Sequence, residues 1–102
     1  MKVTFPAKRQ SATVTLSFDF TSLMTVGSIL SVNAVGVTVY SGVDPTPAGI
    51  LSGSPAINGN VVAQSVIAGV PGTIYSLICS VNTSDGQVLE LQGFLAISQN
   101  AV

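Results

Sequence analysis

The sequence has no histidine or tryptophan, a single cysteine and very little charge. Only 7% of its 102 residues are charged, and the formal net charge is −1. Without histidine there is no imidazole base and no histidine metal ligand. One cysteine, Cys79, allows neither an internal disulfide nor a cysteine zinc site, and we expect it to be a buried apolar residue. Because three cations cannot neutralise a run of phosphates, we expect no nucleic-acid partner. Since histidine is absent and cysteine occurs once, we also expect no metal and no cofactor.

An uncharged stretch between Asp19 and Asp44 is the only segment that suggests a membrane span. It contains Gly27, Asn33 and Gly36, and its apolar residues are largely β-branched, which favours strands over helices. No basic cluster flanks it closely, so we expect no span. The N-terminal residues contain no apolar run of the signal-peptide type, which predicts synthesis in the cytoplasm without export by that route.

What the sequence has in abundance is alternation with a period of two residues. In residues 13–20 the apolar side chains occupy every second position, which is typical of a half-buried strand. The same pattern runs through residues 28–40, with a break near Asn33 that indicates either a bulge or a turn. Two further strands, 73–81 and 87–97, flank Asp85-Gly86, the strongest hairpin signal of the sequence.

The middle of the chain, residues 41–60, is rich in glycine and proline, which predicts turns and short edge pieces. Strands resume at residues 61–67. An exposed strand edge with so few charges could bind a partner by strand addition, and we take residues 61–67 as the edge at which to test this.

About seven short strands separated by regular turn signals predict an all-β fold, an immunoglobulin-like antiparallel β-sandwich. We expect residues 1–10 to be an N-terminal arm and residues 11–102 to form a single domain. Tyr75, which follows a glycine turn near the start of the penultimate predicted strand, resembles the tyrosine corner of immunoglobulin-like domains. The disulfide and tryptophan of antibody domains are absent, so the domain is not of the antibody type.

A series of short motifs, in a fixed order, covers nearly the whole chain. They are Phe18-Asp19-Phe20 with Leu23, Gly27-x-Ile29, Val39-Tyr40-Ser41-Gly42-Val43-Asp44-Pro45, Ile57-x-Gly59-x-Val61-Val62-x-Gln64, Gly69-x-x-Gly72-Thr73-x-Tyr75 and Thr83-Ser84-Asp85-Gly86-Gln87. In this order they resemble the small immunoglobulin-like virion proteins of tailed bacteriophages that serve as fibre–tail adaptor or neck proteins. Members often carry tryptophan after the first strand's aspartate, where this sequence has Phe20.

This resemblance implies a structural virion protein without catalysis. It would act at the head–tail neck or collar and link connector and tail or fibre components. The partners implied are other virion proteins, and a homo-oligomeric ring is implied as the assembly. The scarcity of charge agrees, because a free domain with so few charged residues lacks the charge density that usually keeps a protein dispersed, and its faces are expected to be covered by neighbours.

The four carboxylates offer no catalytic or metal-binding constellation. Nothing in their spacing suggests the pair that glycoside hydrolysis requires, and they are too few and scattered for calcium. Asp44 and Asp85 have the positions of turn formers whose side chains bond local backbone. Asp19 is either solvated or backbone-bonded on a strand, or forms an ion pair between subunits with Lys8 or Arg9.

The alternative function is an immunoglobulin-like carbohydrate- or surface-binding (adhesion) module. Such a module needs exposed aromatic rings, and Tyr40 is the candidate because Phe18, Phe20 and Tyr75 are expected to face the core. We expect an interface and no catalytic, cofactor or metal site. The candidate interface residues are Lys8, Arg9, Asp19, Tyr40, Asp44, Pro45 and Glu90.

Overall fold

The computed structural model describes residues 2–24 and 27–98 of the chain. The strands are β1 (Lys2–Thr4), β2 (Lys8–Arg9), β3 (Val14–Asp19), β4 (Ile29–Ser41), β5 (Leu51–Asn58), β6 (Val61–Val66), β7 (Ile74–Thr83) and β8 (Val88–Ser98). Two 3-10 turns, Thr21–Leu23 and Pro47–Ile50, accompany them. Since β1 and β2 both lie along β8, they count as one interrupted strand, and the predicted all-β sandwich of seven strands is confirmed. No helix among the described residues has the length and apolarity needed to cross a membrane.

Two sheets form the sandwich. The larger has the order β1-β8-β7-β4, with β2 also on β8, and the smaller has the order β3-β6-β5. All pairs are antiparallel except those of β1 and β2, which run parallel to β8. Strands β8-β7-β4 and β3-β6-β5 correspond in connectivity to the G-F-C and B-E-D strands of immunoglobulin-type sandwiches. In immunoglobulin-type sandwiches strand A pairs with strand B, the counterpart of β3. Here the N-terminal strands β1 and β2 pair with β8 instead.

Alternation along the strands builds the core between the two sheets. The inward positions of β3 carry Leu16 and Phe18, and the neighbouring outward positions are exposed threonine, serine and aspartate. On β7 and β8 alternation likewise directs one face inward, although Leu89, near the start of β8, is only half-buried. The buried residues of this face are Tyr75, Leu77, Cys79, Val81, Leu91, Leu95 and Ile97.

The predicted hairpin between the last two strands is confirmed. Thr83 N–H donates to Gln87 O at 2.9 Å, and Gly86 adopts a φ of +86°. Only glycine takes up that left-handed conformation without steric cost, so the turn depends on the Asp85-Gly86 pair. Asp85 accepts a hydrogen bond from the Thr83 hydroxyl. Its partner in this bond is therefore a side chain of the same turn and not the predicted local backbone.

The break predicted near Asn33 is a bulge within one long strand, β4, because the register with β7 shifts between Val32 and Ala34. The prediction of turns and short edge pieces for residues 41–60 is confirmed in part, because β5 lies at the edge of its sheet. Its length is underestimated, since Leu51–Asn58 form one eight-residue strand. Proline is tolerated there because β5 is an edge strand and bulges between Ser52 and Ala56.

The choice of residues 61–67 as a free edge is also wrong. Strand β6 is the central strand of its sheet and pairs with β3 on one side and β5 on the other. Its backbone is therefore already hydrogen-bonded along both sides. The alternation at Val62, Gln64 and Val66 points these side chains into the core.

Candidate interaction surfaces

The loop after β4 is held by a hydrogen-bonded tyrosine. Tyr75 is fully buried, and its hydroxyl accepts from Val70 N–H at 2.9 Å and donates to Asp44 Oδ2 at 2.7 Å. The bond back to upstream backbone is the contact that defines a tyrosine corner. Asp44 Oδ1 accepts from Thr46 N–H at 2.9 Å, which confirms the predicted local backbone bond. The bond from Tyr75 to Asp44 joins residues far apart in sequence, so the local sequence does not predict it.

Each partner of this contact is stabilised in its usual ionisation state. The hydroxyl of Tyr75 and the backbone N–H of Thr46 lower the pKa of Asp44. Burial raises the pKa of Tyr75, and its bond to the Asp44 carboxylate raises it further. At neutral pH a charged carboxylate therefore meets a neutral phenol, and the loop stays tied to the start of β7.

The N-terminal basic pair is split between the inside and the outside of the domain. Lys8 is only 3% exposed, and its Nζ donates to the carbonyls of Arg9 (2.7 Å), Gln10 (3.2 Å) and Ala12 (2.7 Å). Burial lowers the pKa of Lys8. Arg9 is exposed. Lys8 thus closes the turn between β2 and β3, and of the pair only Arg9 presents its side chain to the surface.

An aromatic pair lies on the outer face of the larger sheet. Tyr40, 67% exposed, packs edge-to-face against Phe94 with ring centroids 4.9 Å apart and an interplanar angle of 65°. Phe94 alternates with the inward residues of β8 and therefore points outward. Its contact with Tyr40 on β4 is made across the intervening strand β7, so the local sequence does not predict it. A groove of about 440 Å³ adjoins the pair. Its lining residues are Thr4, Phe5, Ala7, Tyr40, Ile74, Phe94 and Ala96.

The remaining candidate residues are exposed on separate elements. Asp19 Oδ1 accepts from Thr21 N–H at 2.9 Å. Hydrogen bonds from Thr21 lower the pKa of Asp19, and the hydroxyl of Thr21 contributes more than its N–H. Glu90 lies on β8 opposite Ser80. Pro45 lies in the loop next to Asp44.

The strand register brings only part of the candidate set together. Lys8 pairs with Ile97, and Tyr40 and the following loop lie beside the start of β7, at the same end of the larger sheet. Asp19 lies at the far end of the six-residue strand β3, about 20 Å from the turn that Lys8 closes. Lys8 is buried, so the predicted ion pair of Asp19 with Lys8 is wrong. The ion pair of Asp19 with the exposed Arg9 stays a prediction for contacts between chains.

A ladder of uncharged polar side chains covers the other half of the larger sheet. Asn33 and Asn82 exchange amide hydrogen bonds of 3.1 and 2.7 Å across β4 and β7. Asn82 also donates to the Ser31 hydroxyl at 3.1 Å. These amides satisfy one another, so this face is polar without carrying charge. The sequence showed polar residues on these strands but not their pairing.

Within residues 2–24 and 27–98 no cluster of three or more histidine, cysteine, aspartate or glutamate side chains could hold a metal ion. Cys79 is buried, and burial raises the pKa of its thiol to about 11. The described surface has four features: the loop that Tyr75 holds through Asp44, the groove beside Tyr40, the polar face around Asn33 and Asn82, and the strand edges.

The comparison with protein families identifies the group to which this domain belongs. The family model described as podophage GP4 fiber-tail adaptor protein gp77 matches residues 8–96. The chain belongs to this family, as the motif series indicated, and it is a structural component of a bacteriophage virion. A search of curated proteins finds no match.

Proposed function

We propose that the protein acts at the head–tail neck of the virion, where it links the connector to tail or fibre components. The observation that carries this proposal is the fibre–tail adaptor family match across residues 8–96, which spans every strand from β2 to β7 and most of β8. The protein would be made in the cytoplasm of the bacterial host, and its role would be structural and not enzymatic. The pairing order of its strands supports an immunoglobulin-type sandwich.

Copies of the chain would assemble as a homo-oligomeric ring. The polar, uncharged outer face around Asn33 and Asn82 supports this. Its amides already bond to each other, so the free-energy cost of removing them from water when a neighbour covers the face is small. The exposed candidates that would take part are Arg9, Tyr40 and Pro45 at one end of the sandwich. Asp19 and Glu90 would make contacts elsewhere. Asp44 would act by holding its loop in place.

Immunogold labelling of purified virions tests the position directly. Labels are expected at the junction of head and tail, and native mass spectrometry of the isolated neck is expected to give one defined copy number. Virions without label would contradict the proposal, as would labels confined to the distal ends of fibres.

A carbohydrate- or surface-binding role is the second candidate, and the exposed Tyr40–Phe94 pair beside a groove is the observation that favours it. Sugars stack on exposed aromatic faces, and a groove of about 440 Å³ lies within the usual range of ligand sites. Glycan-array binding that is lost in Tyr40→Ala and kept in Tyr40→Phe would support it. Equal signals from wild type and Tyr40→Ala would exclude this pair as the site.

A further inference from the structure

Four strand edges flank the two sheets, and three of them are interrupted. Strand β5 contains Pro55 and a bulge. The edge formed by β1 and β2 is broken around Pro6. Strand β4 shifts its register with β7 at three places. Proline, bulges and broken pairing are the devices by which proteins prevent other strands from adding to an edge.

Strand β3 has none of these devices. Its six residues pair with β6 in continuous register, and no other strand among the described residues pairs with it. It contains no proline, and residues 10–18 carry no charge. Every second residue of β3 consequently directs its N–H and C=O groups away from β6.

In immunoglobulin-type sandwiches strand A pairs at this position, beside strand B. Here the N-terminal strands run along β8, and none of residues 2–24 and 27–98 forms a strand next to β3 on its side away from β6. The inward residues Leu16 and Phe18 are buried while Val14 is only half-buried. An added strand with apolar residues at alternate positions would extend the same core.

We propose that β3 binds an extended, uncharged segment of a different virion protein, which adds as a fourth strand to the sheet β3-β6-β5. This inference rests on the proposed adaptor function, which requires a contact with an unlike protein. A second copy of the chain fits less well, since its other edges are interrupted and pairing of β3 with β3 would close as a dimer. Arg9 precedes the open edge and Asp19 ends it, which leaves an uncharged stretch for the segment between them.

Hydrogen–deuterium exchange of the free protein and of purified virions tests the inference. In virions the exchange of residues 14–19 is expected to slow by about tenfold or more, while that of residues 35–39 on the bulged edge β4 changes less. Unchanged exchange of residues 14–19 in virions that contain the protein would overturn the strand addition alone. Absence of the protein from virions would instead overturn the adaptor function.

A variant separates the partner from self-association. Thr15→Lys combined with Ser17→Lys places charge on the exposed side of β3 and is expected to lower incorporation into virions about tenfold. Ser54→Lys combined with Ala56→Lys, at exposed positions of the interrupted edge β5, is the matched control and is expected to incorporate normally. Circular dichroism checks that all variants fold. Incorporation of the β3 variant at the level of the control would contradict the proposal, and so would a wild-type dimer in light scattering that the β3 variant abolishes.

Discussion

At the scale of single residues, the domain relies on a few polar groups buried with all their partners. Gln64, 1% exposed, donates to the carbonyls of Ser52 and Gly53 at 3.2 Å and of Ser65 at 2.9 Å, and so supports the bulge of β5. Tyr75 holds the loop after β4, and Lys8 holds the turn between β2 and β3, also through side-chain hydrogen bonds. Among the described residues no buried side-chain nitrogen or oxygen lacks a hydrogen-bond partner. Removing one such group leaves its partners unpaired, which is costly in a buried site.

Tyr75→Phe removes a hydroxyl that joins two loops. The N–H of Val70 loses its acceptor and Asp44 loses its donor, while the ring and its packing remain. The free energy of unfolding is expected to fall by about 1–3 kcal/mol, measured by urea denaturation at pH 7. A variant as stable as wild type would show that water replaces both bonds.

The pH dependence of this loss gives an internal control. The pKa of Asp44 is lowered in the folded protein, so its contribution to stability is present above the usual aspartate range and is lost as the pH falls through the lowered value. Tyr75→Phe removes the largest cause of that shift. The difference in stability between wild type and variant should therefore narrow as the pH falls below about 4. A difference that stays constant with pH would contradict the role of Asp44.

Lys8→Met tests the buried ammonium. The carbonyls of Arg9, Gln10 and Ala12 would lose their shared donor, although methionine keeps most of the apolar volume. We expect a loss of about 1–3 kcal/mol in the free energy of unfolding. Arg9→Met, one residue further and exposed, is the matched control and should change stability by less than about 0.5 kcal/mol. Equal effects of the two substitutions would show that only the loss of charge matters.

At the scale of elements, the alternation of apolar and polar residues was sufficient to locate a strand that has one buried face. It placed β3, β7 and β8 and their inward residues correctly, because period-two patterns and an Asp-Gly turn are local signals. It gave the region of β5 only as turns and short edge pieces, because Pro55 interrupts the pattern there. The expectation of an edge at residues 61–67 is wrong, because β6 is central. Which strands are neighbours is decided by packing between distant segments. For the same reason the Tyr40–Phe94 pair could not be predicted.

Gly69→Ala tests how tightly the turn before β7 is packed. Gly69 has a φ of +99°, and an added Cβ would lie 2.8 Å from the Cδ1 and Cγ1 atoms of Ile97. Strained backbone and overpacking together are expected to lower the free energy of unfolding by about 1–3 kcal/mol. Gly36→Ala on β4, where no atom lies within 4 Å of the added Cβ, should change stability by less than about 1 kcal/mol. Equal stability of the two variants in thermal denaturation would contradict the tight packing of Gly69 against Ile97.

At the scale of the whole molecule, low charge and exposed apolar side chains occur together. Leu30, Val43 and Val88 are 65%, 80% and 61% exposed, and the net charge is only −1. Membership of a virion adaptor family supplies a reason, because neighbours in an assembly can cover such side chains. A surface of this kind leaves the free chain with weak charge repulsion between copies.

The free protein should therefore associate increasingly as the pH falls from 7 towards its isoelectric point of about 4.7, as measured by static light scattering. Ala48→Glu with Ser54→Glu, both at exposed positions, makes the net charge more negative and should raise solubility at pH 7. Ala48→Gln with Ser54→Gln is the matched control, since it adds polarity of similar size without charge. If the glutamine pair raised solubility as much as the glutamate pair, apolar contacts at these two positions, and not weak charge repulsion, would drive the association.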